Sequence, residues 1–254
     1  MRALYWKEVN GFFSNLSGYL ILGVFLVSLG LIVWVFPDTS VLEYGFADLE
    51  PLFVYTPYVF TFLVPAITMK MIAEERKSGT WEILMTSPLS IPKIIVAKYS
   101  AALTLIVVAL LPTLVYYYSI VQLGDPVGNI DHAGFFGSWI GLVFKGAVFA
   151  SIGILGSALT SHQIVAFILG VFISFLLYFG LTALVQLQVM SPFALFLEEM
   201  SLSYHYQSMS RGVIDAQNIA YFLSVIVLML GLTGILIRRK LKDPPTYRLS
   251  KILE

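Results

Sequence analysis

Apolar residues fall in six long blocks separated by short polar segments, over residues 18–36, 52–73, 99–123, 135–159, 164–187 and 219–237. Each block supplies the ~20 mainly apolar residues that a helix needs to cross a hydrocarbon layer roughly 30 Å thick. Backbone inside lipid has to bond to itself, so each block is predicted to be a helix. Pro57, Pro65 and Pro112 lie inside the second and third blocks and predict bends rather than ends. Ahead of the first block the pattern changes. Tyr5, Val9, Phe12 and Leu16 recur at helical spacing, flanked by Trp6 and Phe13, with Lys7, Glu8, Asn10 and Ser14 between them. This predicts an amphipathic helix over residues 1–17 lying in the membrane interface; the alternative is a plain polar lead-in to the first span. After Pro192, the positions of Phe193, Phe196, Leu197 and Met200 predict a short helix that dips back toward the bilayer.

Composition agrees. Of 254 residues 58% are hydrophobic and 12% charged, about half the charge of a soluble domain. A soluble enzyme, a nucleic-acid binder and a disordered tail are therefore excluded, leaving an all-α membrane protein of a single domain. Cysteine is absent, which removes disulfides, thiol nucleophiles and Cys-based metal sites. The first apolar block is too long for a cleavable signal peptide, and none is expected.

The chain is formally neutral, with 15 basic and 15 acidic residues, yet the charges are sorted. Thirteen basic residues lie in alternate polar segments: Arg2 and Lys7; Lys70, Arg76, Lys77, Lys93 and Lys98; Arg238, Arg239, Lys240, Lys242, Arg248 and Lys251. The opposite segments hold Arg211 alone against Asp38, Glu43, Asp48, Glu50, Asp125, Asp131, Glu198, Glu199 and Asp215. Basic loops stay in the cytoplasm, so both termini are expected there, with 238–254 as a cytoplasmic tail.

Catalytic signatures are missing. There is no phosphate-binding Gly-x-x-x-x-Gly-Lys loop, no Gly-x-Ser-x-Gly and no His-Glu-x-x-His, so no catalytic residue, metal or cofactor is expected on this chain. The apolar blocks hold no acidic residue, which disfavours an ion-coupled carrier. They do hold Lys145. One reading has it meet an anionic substrate or an acid across a subunit interface; the other has it snorkel or pair with Asp131 or Asp125. Small residues in the same block (Gly137, Gly141, Gly146, Ala150, Gly153, Ser157) predict close helix packing within or between subunits. On the acidic side, His205 and Arg211 sit in a polar, aromatic stretch, and Asp215 is placed to cap the last span. His205 with Glu198 and Glu199 is too sparse for a metal site, so a structural role is expected.

The segment Glu74-Glu-Arg-Lys-Ser-Gly-Thr-Trp-Glu-Ile-Leu-Met-Thr-Ser-Pro-Leu89 predicts a helix ended by Gly79, then a short second helix capped by Thr80 and stopped by Pro88. This run resembles the signature of ABC-2-type transporter permeases: two glutamates, then Gly-Thr-x-Glu-x-Leu and a Thr/Ser-Pro. Lys93 and Lys98-Tyr99 fit the same pattern. The stretch 201–224, with His205, Arg211-Gly-Val-Ile-Asp215 and Tyr221-Phe-Leu-Ser, resembles the permease of the gliding-motility-associated branch. The resemblance implies a non-catalytic permease subunit that couples a separate cytoplasmic ATPase dimer to export across the bacterial inner membrane. ATP and Mg²⁺ would sit on the ATPase. A second permease half, a sister subunit or another copy, would complete the unit, and lipid rather than nucleic acid would surround it. It further implies that residues 79–86 form a coupling helix, with Glu74, Glu75, Gly79, Thr80, Glu82, Leu84, Thr86 and Pro88 serving ATPase coupling. The alternative is a mechanotransmitting or assembly factor acting on a periplasmic partner without moving cargo.

Overall fold

The computed structural model describes residues 1–43, 48–185, 194–212 and 215–242, and among these every regular element is helical. The order is α1 (Arg2–Phe13), α2 (Leu16–Trp34), α3 (Glu50–Thr68), α4 (Lys70–Lys77), α5 (Thr80–Thr86), α6 (Ile91–Leu110), α7 (Thr113–Leu123), α8 (His132–Leu159) and α9 (Gln163–Phe175). A π-helical turn (Leu176–Gly180) leads into α10 (Leu181–Val185), followed by α11 (Ala194–Glu199), α12 (Leu202–Ser210) and α13 (Ala216–Lys242). Among the described residues six helical rods are long and apolar enough to cross a membrane: Leu16–Trp34, Glu50–Lys77, Ile91–Leu123, His132–Leu159, Gln163–Leu184 and Ala216–Lys240. Val24, Phe172 and Val227 are more than half exposed on the outside of the bundle, a surface suited to lipid rather than water. The chain is a multi-pass membrane protein.

The spans match the hydropathy blocks, but the second and third run further at the basic end. Residues 91–98 are helical, because Pro92 stands in the first turn of α6, where its missing N–H costs nothing. Lys98, expected in a loop, is thereby carried inside. None of the prolines ends its span: α3 continues through Pro57 and Pro65, and Pro112 marks the joint between α6 and α7. The joint between α3 and α4 has another cause. Ser157 of α8 inserts its hydroxyl there, accepting from the N–H groups of Ile72 and Ala73 (3.0 Å each) and donating to the carbonyl of Met69 (2.9 Å). A side chain placed in the i→i−4 ladder is a recognised source of a kink.

The centre of the bundle is α8. In its most apolar stretch 83% of residues are buried, against 22% for the spans of α2, α9 and α13. Its small residues make that possible within one chain. A Cβ on Gly153 would lie 2.0 Å from Thr68 Oγ1 of α3, and one on Gly146 would lie 2.7 Å from Ile106 of α6. On Gly141 it would lie 2.8 Å from the ring of Tyr206, and on Gly137 2.3 Å from the Met209 carbonyl, both on α12. Small residues at helical spacing let these backbones approach.

Two expected short elements are present. A helix does form over Ala194–Glu199, although Phe193 and Pro192 lie outside the described residues. The polar stretch after it folds as α12. Residues 186–187 of the fifth block, Val213 and Ile214, and the tail from 243, including Arg248 and Lys251, also lie outside the described residues.

Candidate functional site

Two places in the bundle concentrate polar chemistry, one at each end. At the basic end, α4 and α5 form a tight helical hairpin. Gly79, at φ 77°, allows the reversal with a single linking turn, a backbone state that side chains with a Cβ resist. Gly79 is also the residue that precedes the first turn of α5, which corrects the assignment of that cap to Thr80. The Thr80 hydroxyl instead turns back to Ser78 Oγ (2.9 Å) and to the Glu75 carbonyl (3.3 Å), tying the two helices together.

Adjacent residues on α4 anchor this hairpin in opposite directions. Glu75 faces inward: Oε1 lies 2.6 Å from Lys7 Nζ of α1 and Oε2 lies 2.8 Å from Lys98 Nζ of α6. Lys98 is fully buried, and it hydrogen-bonds Glu8 Oε1 and the Met71 carbonyl, both at 2.6 Å. This ammonium thus meets three oxygens, two of them on carboxylates. Burial pulls the Lys7 pKa down, but the hydrogen bond and charge of Glu75, with Glu8 and Glu74 adding, outweigh it and hold Lys7 above the ordinary lysine value. Tyr5 completes the seam, its hydroxyl 2.9 Å from Thr104 Oγ1 of α6. The amphipathic helix therefore turns part of its polar side into the bundle, and Trp6, expected on the apolar face, is about half exposed.

Arg76 points the other way. It donates to the Ala158 carbonyl at the end of α8, and its guanidinium lies 5.3 Å from the centre of the Trp81 ring on α5. Lys240 of α13 donates to the carbonyls of Ala158 (3.2 Å) and Leu159 (2.6 Å). Two cations thus satisfy the last two carbonyls of α8, where the helix dipole favours positive charge.

The outer surface of the hairpin holds most of the residues singled out in the sequence. Glu74, Gly79, Thr80, Glu82, Ile83, Thr86 and Pro88 are exposed, Leu84 is half-buried, and Ile83 is 71% accessible. Glu75 departs from that set. It is buried and engaged within the chain, so it holds the hairpin in place rather than projecting from it. Its buried partner Lys98, and Glu8, which pairs with Lys98, were missed as a site because 23 and 67 positions respectively separate them from Glu75 along the chain.

At the acidic end, a cavity of about 1210 Å³ opens between α3, α7, α8, the π-helical turn and α12. Its exposed rim includes Asp48, Glu50, Asp125, Asp131 and Arg211. Its buried floor holds Lys145, Tyr178 and Tyr206. Lys145 Nζ lies 3.0 Å from the Tyr178 hydroxyl and 3.3 Å from the centre of the Tyr206 ring. The expected local pairing with Asp131 or Asp125 does not form. Asp131 is committed to the start of α8, where Oδ1 accepts from the Gly134 N–H at 2.9 Å, some 14 residues before Lys145.

His205 is engaged within the chain. Nδ1 lies 2.8 Å from Asn218 Oδ1, Nε2 lies 2.8 Å from the Glu199 carbonyl, and the ring stacks on Tyr221 at 3.8 Å. Both nitrogens are occupied, and among the described residues no group of three His, Asp or Glu is placed to hold a metal ion. Asp215 stands ahead of α13, its carbonyl accepting from Asn218 and Ile219.

Residues 52–240 match the family model of the ABC-2 family transporter proteins, a stretch that includes the α4–α5 hairpin and the Lys145 floor of the cavity but not α1. No curated protein matches the chain.

Proposed function

The chain belongs to the ABC-2 transporter family, whose membrane proteins partner with cytoplasmic ABC ATPases, and we propose that it is the permease subunit of an ATP-driven exporter. On this reading residues 1–254 form one transmembrane domain in a bacterial inner membrane, with α1, the hairpin and both termini in the cytoplasm. ATP and Mg²⁺ bind the ATPase dimer, and a second copy or a sister permease supplies the other half. Export in support of gliding motility is the process to which the 201–224 stretch points.

The observation that carries the reading is the hairpin itself. It offers Glu74, Gly79, Thr80, Glu82, Ile83, Thr86 and Pro88 to a partner, while Glu75 and Arg76 tie it to α1, α6 and α8. A short exposed helix on rigid supports suits docking into a groove of a soluble protein. Movement imposed on it would pass into three other helices at once.

The test is co-purification with the ATPase and measurement of its stimulated hydrolysis. Gly79→Val forces a β-branched residue into a left-handed backbone, and Glu82→Lys reverses an exposed charge on the docking face. Both variants are expected to insert normally and to lose the ATPase or its stimulation. Full binding and stimulation in both would remove the hairpin from the coupling role.

A further inference from the structure

Among the described residues two lysines, Lys98 and Lys145, are fully buried inside the helical rods, and the chain treats them differently. Lys98 has two hydrogen bonds, to Glu8 and the Met71 carbonyl, and a 2.8 Å ion-pair contact with Glu75, so two carboxylates balance its charge. Lys145 is equally buried, at 1% exposure, but has one oxygen partner, the neutral Tyr178 hydroxyl. Its second neighbour is the face of Tyr206, which attracts a cation without balancing its charge. Lys98 is sealed inside the helix packing, whereas Lys145 lines the large cavity at the acidic end.

The surrounding backbone is built to produce this arrangement. Gly141, one turn before Lys145, leaves the space in which the Tyr206 ring lies flat on α8. The π-helical turn, a feature that recurs at functional sites, delivers Tyr178 from the facing helix. Around the pair the cavity wall is aromatic, with Phe53, Tyr58 and Phe135. Lys145 lies 14 residues into the helix that begins after Asp131, a depth of about 20 Å at 1.5 Å per residue.

We propose that this cavity is a binding site for an amphiphile carrying a single negative charge, seated with its carboxylate or phosphodiester on Lys145 and Tyr178 and its apolar body against the rings. One ammonium balances one charge. Four carboxylates against one guanidinium at the rim repel multiply charged anions such as nucleotides. The volume exceeds the upper end of common small-ligand pockets, about 1,000 Å³, so the occupant is larger than an inorganic ion. That the ligand is cargo rests on the permease reading; that it binds does not.

Equilibrium binding of radiolabelled laurate to the full chain, with the subunits that accompany it, in phosphatidylcholine nanodiscs tests the site without ATP. Laurate is expected to bind and dodecanol not to displace it. Lys145→Met should weaken binding by about tenfold or more, the scale of a lost charge-assisted hydrogen bond, while Lys145→Arg stays close to the parent. Tyr178→Phe, which retains the ring and the fold, should weaken it by a smaller factor. Displacement by phosphatidylglycerol added to the disc would identify a bilayer lipid as the source; lack of displacement would identify a soluble amphiphile. Either result supports the site. Equal competition by dodecanol, or unchanged affinity in both Lys145→Met and Tyr178→Phe, would overturn it. Loss of ATPase co-purification would count against the permease reading alone.

Discussion

Replacing Glu75 by Gln removes one charge from a balanced set of four, two lysines and two glutamates. The two contacts of Glu75 differ in weight. Lys7 has 60% of its side chain in solvent, so its pairing contributes little. Lys98 has none, and breaking a buried pair costs about 3–5 kcal/mol because the remaining charge stays in place. Glu8 still holds Lys98 at 2.6 Å, which puts the loss near the lower end, about 3 kcal/mol. At about 2–4 °C per kcal/mol for a chain of this size, the melting temperature should fall by about 6–12 °C. Thermal unfolding of the purified chain, followed by circular dichroism, measures it. Glu75→Gln combined with Lys98→Met removes both members of the pair and should recover at least half of the loss. A single variant that melts with the parent, or a double variant worse than the sum of the two, would refute the account of the cluster.

Raising the pH should loosen α1. The Lys7 pKa is higher folded than unfolded, so its contribution is complete below the ordinary lysine value, near 10.4, and is lost as pH climbs through the raised folded value. Hydrogen exchange of α1 amides should rise in that window, less so in Lys7→Met; equal pH dependence in the two proteins would contradict it. Gly141→Ala should displace the Tyr206 ring, destabilise the fold by about 1–3 kcal/mol and weaken laurate binding; unchanged melting would contradict the packing. Ser157→Ala leaves the N–H groups of Ile72 and Ala73 without their acceptor and should lower stability by about 1–3 kcal/mol, with Ser157→Thr retaining part of it, as melting curves would show.

The six spans were legible because lipid imposes one requirement that shows directly in hydropathy, and Gly79 was legible because a reversal between two helical runs needs a residue free of Cβ. What stayed hidden depends on distance along the chain. Glu75 was expected to serve ATPase coupling from the surface and Lys98 to lie in a polar loop; only the extension of α6 back to Ile91 turns Lys98 inward to meet Glu75 and Glu8. Lys145 was recognisable as an anomaly, but the sequence directed attention to acids, and its neighbours are tyrosines 33 and 61 positions later. The glycines of α8 announced close packing without saying against what, since small residues record a space and not its occupant.

The order in which partners are synthesised separates the two buried lysines once more. Glu8, Met71 and Glu75 all precede Lys98, so this ammonium meets its acceptors as it emerges. Both neighbours of Lys145 follow it, and at about 5–20 residues per second the ribosome needs about 3–12 s to reach Tyr206. Throughout that interval the fourth span must remain in the bilayer on the strength of its own apolar residues, against the ~2.5–3.5 kcal/mol penalty of a lone lysine at its centre. The floor of the cavity is therefore closed only when α12 is delivered onto the notch at Gly141, well after the helix that carries Lys145 has entered the bilayer.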